Sequence, residues 1–173
     1  IVLLDLPLIT GTESGYAPRV AAFAEPWPGA IAASIGTATA GFVPRQTIER
    51  RATIGLLAEA LAAELVARWG DANAVVVTLY GGALAGEPQL GVLNGANVAA
   101  VGTSATGYEV IQFSDATLVA ANTWRLTGLL RGQAGTADIA AAGHAVGANF
   151  VLIDRAVVPL ALSEAESGLA LTL

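Results

Sequence analysis

The 173-residue chain has no cysteine, no methionine and no lysine, and a single histidine, His144. Without cysteine there is no disulfide scaffold, no thiolate metal site and no thiol nucleophile. One imidazole excludes any site that needs two. All eight basic residues are arginines, which removes the P-loop lysine and the Schiff-base lysine. Aromatics are scarce at 6%, and charged residues make up only 13%. Basic charge is also in deficit, since the net charge is −6. That argues against a nucleic-acid binder, whose affinity comes largely from neutralising phosphates.

What is present is apolar and small. Residues of the hydrophobic class reach 54%, too many for a disordered linker. Mean hydropathy is +0.63, but much of it is alanine, about a fifth of the chain, which contributes little area. The longest uncharged stretches, Pro26 to Pro44 and Pro88 to Tyr108, are interrupted by Gly, Thr, Ser and Asn. Neither supplies the ~20 consecutive apolar residues of a membrane span, and none is expected. A chain of this length can bury roughly 70% of its extended-state surface and needs no staple to fold. It opens on Ile1 within the strand-like IVLLDLPLI and ends on GLALTL, so a fragment of a longer polypeptide is expected.

Short β-type runs punctuated by Gly, Pro, Asn and Thr dominate. Strands are expected at Ile1–Leu6, Arg19–Ala24, Ala30–Ile35, Arg51–Leu57 and Ala74–Tyr80. Further strands are expected at Val98–Val101, Tyr108–Phe113, Thr117–Ala121, Thr123–Leu130 and Asn149–Ile153. In YEVIQF, Tyr108 and Val110 leave Glu109 and Gln112 as the solvent-facing positions. Ala121-Asn122 is a turn with a residue tolerant of positive φ, so the strands around it form an antiparallel meander. Alternation in TWRLTGLL places Trp124 and Leu126 opposite Arg125 and Thr127, with Trp124 at least partly in the core. Leu56 to Arg68 is rich in helix formers, yet Thr53, Ile54 and Gly55 suit a strand. The expectation is a strand to about Leu57, then a short helix or loop to Trp69. Pro88–Leu93 suits one helical turn. The fold class is therefore mainly β, an antiparallel barrel or sandwich-like domain with a strand meander and at most short helices. Residues 1–155 form the β-rich domain, with GGALAG at 81–86 as the softest join between two lobes. Residues 156–173 would start a following strand segment.

Candidate chemistry is sparse. His144 has Asp138 upstream, but no G-x-S-x-G elbow presents a nucleophile. His144 reads as a packing or hydrogen-bonding residue at the foot of a turn. There is no H-E-x-x-H, EF-hand loop, dinucleotide fingerprint or P-loop, so no metal, no cofactor and no catalytic residue is expected. Paired carboxylates, as in glycosidases, remain open from sequence. Arg45, Arg50 and Arg51 in PRQTIERR read as a solvated strand edge, with an anion or acidic partner as the alternative. The stretch Arg131-Gly132-Gln133-Ala134-Gly135-Thr136 carries most information. Two glycines three apart after an apolar strand imply a sharp turn. The five-donor guanidinium of Arg131 is expected to be buried and to satisfy carbonyls of the Gly132–Thr136 loop. With His144 and Gly147, these residues form a structural loop motif.

TWRLTGLLRGQAGT (123–136), Gly143-His144 and FVLID (150–154) resemble a module of long-tailed phage tail proteins. Its pattern is a strand, L-L-R-G-x-x-G-T, a spacer with His-x-x-Gly, and another strand. Gly95-Ala96-Asn97 and YEVIQF match the strand before it. Upstream, LLDLP (3–7), PWPGA (26–30), ATIG (52–55), RWGDANAVVV (68–77) and YGGALAG (80–86) follow in order. Together they are similar to the C-terminal hub region of gene transfer agent baseplate proteins. That is the megatron, host-specificity or TIM-barrel-like tail protein family. RWGDAN departs from the relatives' RWDRGN, and the Ala-rich 58–67 segment stands where relatives often carry proline. The resemblance implies a non-enzymatic structural component of a phage-like tail, made in the bacterial cytoplasm and located in the virion. It implies a homotrimer below the tail tube, neighbouring tube and baseplate proteins as partners, and DNA only in passage. Two alternatives of other classes are a carbohydrate-binding β-domain, with Trp27 as its most exposed aromatic, and a hydrolase.

Overall fold

The computed structural model describes residues 1–37, 41–64, 66, 68–70, 72–166 and 168–173. In chain order the strands begin with β1 (Val2–Leu4), β2 (Arg19–Ala21), β3 (Ile31–Thr37) and β4 (Gly41–Ile48). They continue with β5 (Ile54–Leu57), β6 (Trp69–Gly70) and β7 (Val75–Leu79), and then the short helix α1 (Gln89–Leu93). After it come β8 (Val98–Thr103), β9 (Gly107–Ala120), β10 (Thr123–Gln133), helix α2 (Ala137–Ala142), β11 (Asn149–Leu152) and β12 (Val158–Pro159). Strand accounts for 43% and helix for 8%, so the mainly β expectation holds with a wide margin.

Two compact units divide the chain: Ile1–Ala52 with Arg155–Leu173, and Thr53–Asp154. The division does not fall at 81–86, where glycine content suggested a join. That segment belongs to the second unit, where Leu84 is buried in the core and Gly86 lies against the Ser114 carbonyl. Gly86 serves close backbone approach and Gly82 a left-handed backbone at φ of 92°, so these glycines shape the barrel unit rather than a linker.

In the first unit β1, β2 and β12 form an antiparallel sheet, and β3 pairs with β4. Val20, Ala22, Ala33, Ile35, Ile48 and Leu160 make its core, with Trp27 packed against them. Strand β4 lies outside the strands expected from sequence, although PRQTIERR reads as a strand edge, and Pro44 stands within it. It is tolerated because β4 ladders only with β3 and Pro44 lies beside a register shift between Ala33 and Ser34.

The second unit is a closed antiparallel barrel. Its six strands run β10-β7-β5-β11-β8-β9, and β9 pairs back to β10. Short β6 adds to the far end of β10. Leu57, Val75, Val77, Leu79, Val101, Ile111, Phe113, Leu126, Leu129 and Phe150 fill the interior, as in a barrel small enough for side chains to pack across it. The expected strands Tyr108–Phe113 and Thr117–Ala121 are one continuous β9, whose hairpin with β10 completes the meander begun by β8. Leu126 is fully buried, Trp124 is packed against the core and Arg125 is exposed, as alternation required. After Leu57 the described residues of 58–68 form no helix. Leu61 makes an isolated bridge with His144 instead. Leu65 and Ala67, and Asp71 of the RWGDAN turn, lie outside the described residues.

Asn122 sits in the β9–β10 turn with φ of 54°, the left-handed region that its type tolerates. Its carbonyl accepts a hydrogen bond from the Leu79 N–H at 2.8 Å. Asn122→Val should destabilise by about 1–2 kcal/mol, while Asn122→Gly should stay within about 0.5 kcal/mol of the parent. Urea midpoints of the three proteins check this.

Candidate functional site: a buried ion cluster in the barrel

Glu109 and Gln112 are not solvent-facing. Both faces of this part of β9 are covered. Gln112 donates from Nε2 to the carbonyls of Val92, at 2.5 Å, and Ala96, at 2.9 Å, tying α1 to the barrel wall. Glu109 shares a face with Ile111 and Phe113 and is 0% exposed. A carboxylate there must be compensated. Arg131, on the same face of β10 as Leu129 and 1% exposed, supplies the charge. Its Nε and Nη2 donate to the two oxygens of Glu109 at 2.6 and 2.7 Å, a bidentate pair. The Gly132 N–H donates to Oε1 at 2.8 Å. His144, 7% exposed, places Nε2 2.8 Å from Oε2, where an ionised carboxylate can only accept. The remaining guanidinium nitrogen, Nη1, donates to the Ala62 carbonyl at 3.1 Å and lies 4.0 Å from Glu64.

Around this cluster the backbone closes the end of the barrel. Leu61 and His144 exchange two N–H···O bonds at 2.8 Å, and Gly147 donates to Leu57 at 2.9 Å. Thr136 Oγ1 accepts from the Val110 N–H and donates to the Gln133 carbonyl. The structure therefore brings Arg131, Gly132 and His144 together on one carboxylate. Thr136 and Gly147 serve neighbouring backbone contacts, and Gly135 stands apart in the turn. Arg131 is buried, as expected, but it does not hold carbonyls of the Gly132–Thr136 loop. β10 continues through Gln133, the chain turns at Ala134-Gly135, and Thr136 and Gln133 organise that turn. Arg131 reaches instead to Glu109 and across to the 58–64 segment.

Sequence reasoning missed Glu109, Glu64 and the Ala62 carbonyl. One signal was available: a buried arginine needs a carboxylate, and Glu109 is the sole acid in the apolar run of the neighbouring strand.

Burial pushes the Glu109 carboxyl upward. The hydrogen bonds from His144 and Arg131, the Arg131 charge and the Gly132 N–H outweigh it and hold the group below the usual carboxylate range. The unfolded chain then binds more protons than the folded one wherever pH lies between the two values. Stability from Glu109 is complete above the unfolded value of about 4.3 and is lost as pH falls through the lower folded value. In the first unit, Glu13 behaves alike. Its burial penalty is outweighed by the Thr10 N–H and by Arg19, and it sits at about 2. Urea midpoints measured from pH 7 to pH 2 should therefore fall only below about pH 4.3, and Glu109→Gln should flatten the part reported by barrel tryptophan fluorescence.

An imidazole and carboxylate sealed from solvent offer no route to a substrate; the cluster can bind chain segments to one another. The fold and cluster define a small closed β-barrel whose open end is fastened by an internal ion network. The model of the family described as Rcc01698-like, C-terminal, matches residues 52–151, nearly the whole barrel unit, and the chain belongs to that family. No curated protein matches the chain.

The arginines of PRQTIERR do not act together. Arg45 pairs with Glu166 at 2.5 Å and Arg51 with Glu25, while Arg51 also stands over the Phe23 ring. Trp27, expected to be exposed, is half-buried against the first unit's core. Among the described residues no group of acids and histidine could hold a metal, and no helix is long and apolar enough to cross a membrane.

Proposed function

We propose that this chain is a structural β-domain of a phage-like tail baseplate hub. It assembles as a homotrimer with tube and baseplate neighbours, in the virion, around a channel that DNA crosses. The observation that carries the reading is the fate of the L-L-R-G-x-x-G-T motif. Its arginine, with the downstream histidine, is sealed inside the barrel, so the motif that marks the resemblance maintains a fold and presents no chemistry. The order of the other motifs along the chain supports the same reading. So does the open edge of β9: beyond Ser114 its described backbone pairs only with β10, and Leu118 and Val119 are exposed. Ala116 to Trp124 carries no charge, unlike the guarded edges of monomeric sheets. A net charge of −6 suits a wall that passes DNA without holding it. The carbohydrate-binding alternative loses its best aromatic with the inward packing of Trp27.

The test is immunogold electron microscopy and mass spectrometry of phage-like particles purified from the source bacterium, with antibody against residues 53–154. Label at the tail tip is expected. Absence of the protein from the particles, or label confined to the capsid, would overturn the proposal.

A further inference from the structure

The sequence cluster PRQTIERR leaves one arginine unused. With Arg45 and Arg51 paired to carboxylates, Arg50 projects from the first unit without an ion pair. The returning chain brings a second arginine beside it. Arg50 and Arg155 line one pocket of about 240 Å³, together with Thr47, Glu49, Ala156 and Val158. Neither guanidinium has an acceptor among the described residues, and both are exposed. Ala156 is buried and Val158 half-buried, which gives the pocket an apolar floor.

We infer that this pocket binds a small anionic sugar, one ring carrying a phosphate or carboxylate group. The two guanidiniums present planar donor forks suited to an oxyanion. Glu49 can accept from ring hydroxyls, and Thr47 can donate or accept. The aliphatic floor suits the C–H face of the ring. Local charge is positive in a chain of net charge −6, so an anion is drawn here by the pocket and not by the molecule as a whole. The volume lies below the ~300–1,000 Å³ of drug-sized pockets, which favours one sugar unit over an extended chain. This site stands independently of the tail assignment, and its failure would leave that assignment untouched.

The experiment is isothermal titration calorimetry on the 173-residue chain at low salt. The probes are glucose 6-phosphate, galacturonate, glucose and inorganic phosphate. Saturable binding of at least one anionic sugar is expected, with glucose silent and inorganic phosphate weaker. Arg50→Ala and Arg155→Ala should each weaken binding about tenfold or more, since each removes charge-assisted donors. Arg50→Lys should recover only part, because the charge returns without the fork. Arg125→Ala, an exposed arginine of the barrel unit, should bind like the parent. Unchanged thermal midpoints in the variants separate lost binding from lost folding. The inference is overturned if neither anionic sugar binds at 10 mM, on the order of the weak end of the affinity scale. Equal binding of inorganic phosphate, or an equal loss in Arg125→Ala, also overturns it.

Discussion

Glu109→Ala is expected to destabilise the barrel unit by about 3–5 kcal/mol, the consequence of removing one partner from a buried ion pair. The variant leaves the Arg131 guanidinium at 1% exposure, facing only the Ala62 carbonyl at 3.1 Å and Glu64 at 4.0 Å. It also takes the acceptor from the Gly132 N–H and from His144 Nε2. At roughly 2–4 °C per kcal/mol for a chain of this size, the thermal midpoint should fall by roughly 6–20 °C. Arg131→Lys keeps a charge but cannot span both carboxylate oxygens and the Ala62 carbonyl, so it should fall between the parent and Arg131→Ala. Because Glu109 and Arg131 are one interaction, the double alanine variant should lose less than the sum of the singles, by about 0.5–3 kcal/mol. A Glu109→Ala protein that melts within about 2 °C of the parent, or additive single variants, would show that the cluster fastens nothing.

The cluster also shows why the sequence was legible in one place and opaque in another. Turn chemistry is local, so Asn122 and the glycine near α2 announce themselves from their types. A continuous apolar run likewise marks β7, and apolar alternation marks β10. Closure of the barrel is not local. Whether the second face of β9 meets water or a packed interior depends on β10 returning to pair with it, and on α1 and α2 lying outside. Reading Glu109 and Gln112 as both solvent-facing conflicts with their odd spacing, which puts them on opposite faces of β9: Glu109 turns into the interior and Gln112 lies under α1. Arg131 could be placed as buried because a lone arginine amid Leu129, Leu130 and Gly132 has no solvated side to occupy. Its partner was missed although Glu109 is the sole acid in the apolar run of β9, because pairing residues 22 apart requires a register that includes a shift between Leu130 and Gln133. The 58–64 segment has helix propensity throughout. Its described residues form a loop because the bridge from Leu61 to His144 and the contact from Ala62 to Arg131 are tertiary interactions that override propensity.

The two glycines of the R-G-x-x-G motif should respond very differently to substitution. Gly132 has φ of 61° and Gly135 has φ of 85°, so alanine at either position enters the left-handed region, at about 1–2 kcal/mol. The surroundings then separate them. A Cβ on Gly135 would meet nothing within 4 Å. A Cβ on Gly132 would overlap Val66 Cγ1 and stand 3.0 Å from the Cα of Ala137. The first of these neighbours is a side chain and can yield, but the second is backbone at the start of α2. Relief therefore requires β10 and α2 to separate, and that movement draws the Gly132 N–H away from Glu109, now 2.8 Å distant. Overpacking of this kind adds about 1–3 kcal/mol, and the weakened bond to a buried carboxylate adds about 1.5–3 kcal/mol. Gly132→Ala should therefore destabilise by roughly 4 kcal/mol or more, and Gly135→Ala by about 1–2 kcal/mol. Gly135→Asn should be milder still, because asparagine tolerates the left-handed region. Denaturant unfolding of the three variants, followed by barrel tryptophan fluorescence, gives the comparison directly. If Gly132→Ala and Gly135→Ala lose the same stability, the close approach of β10 to α2 is not what requires glycine at 132, and backbone conformation alone explains both positions.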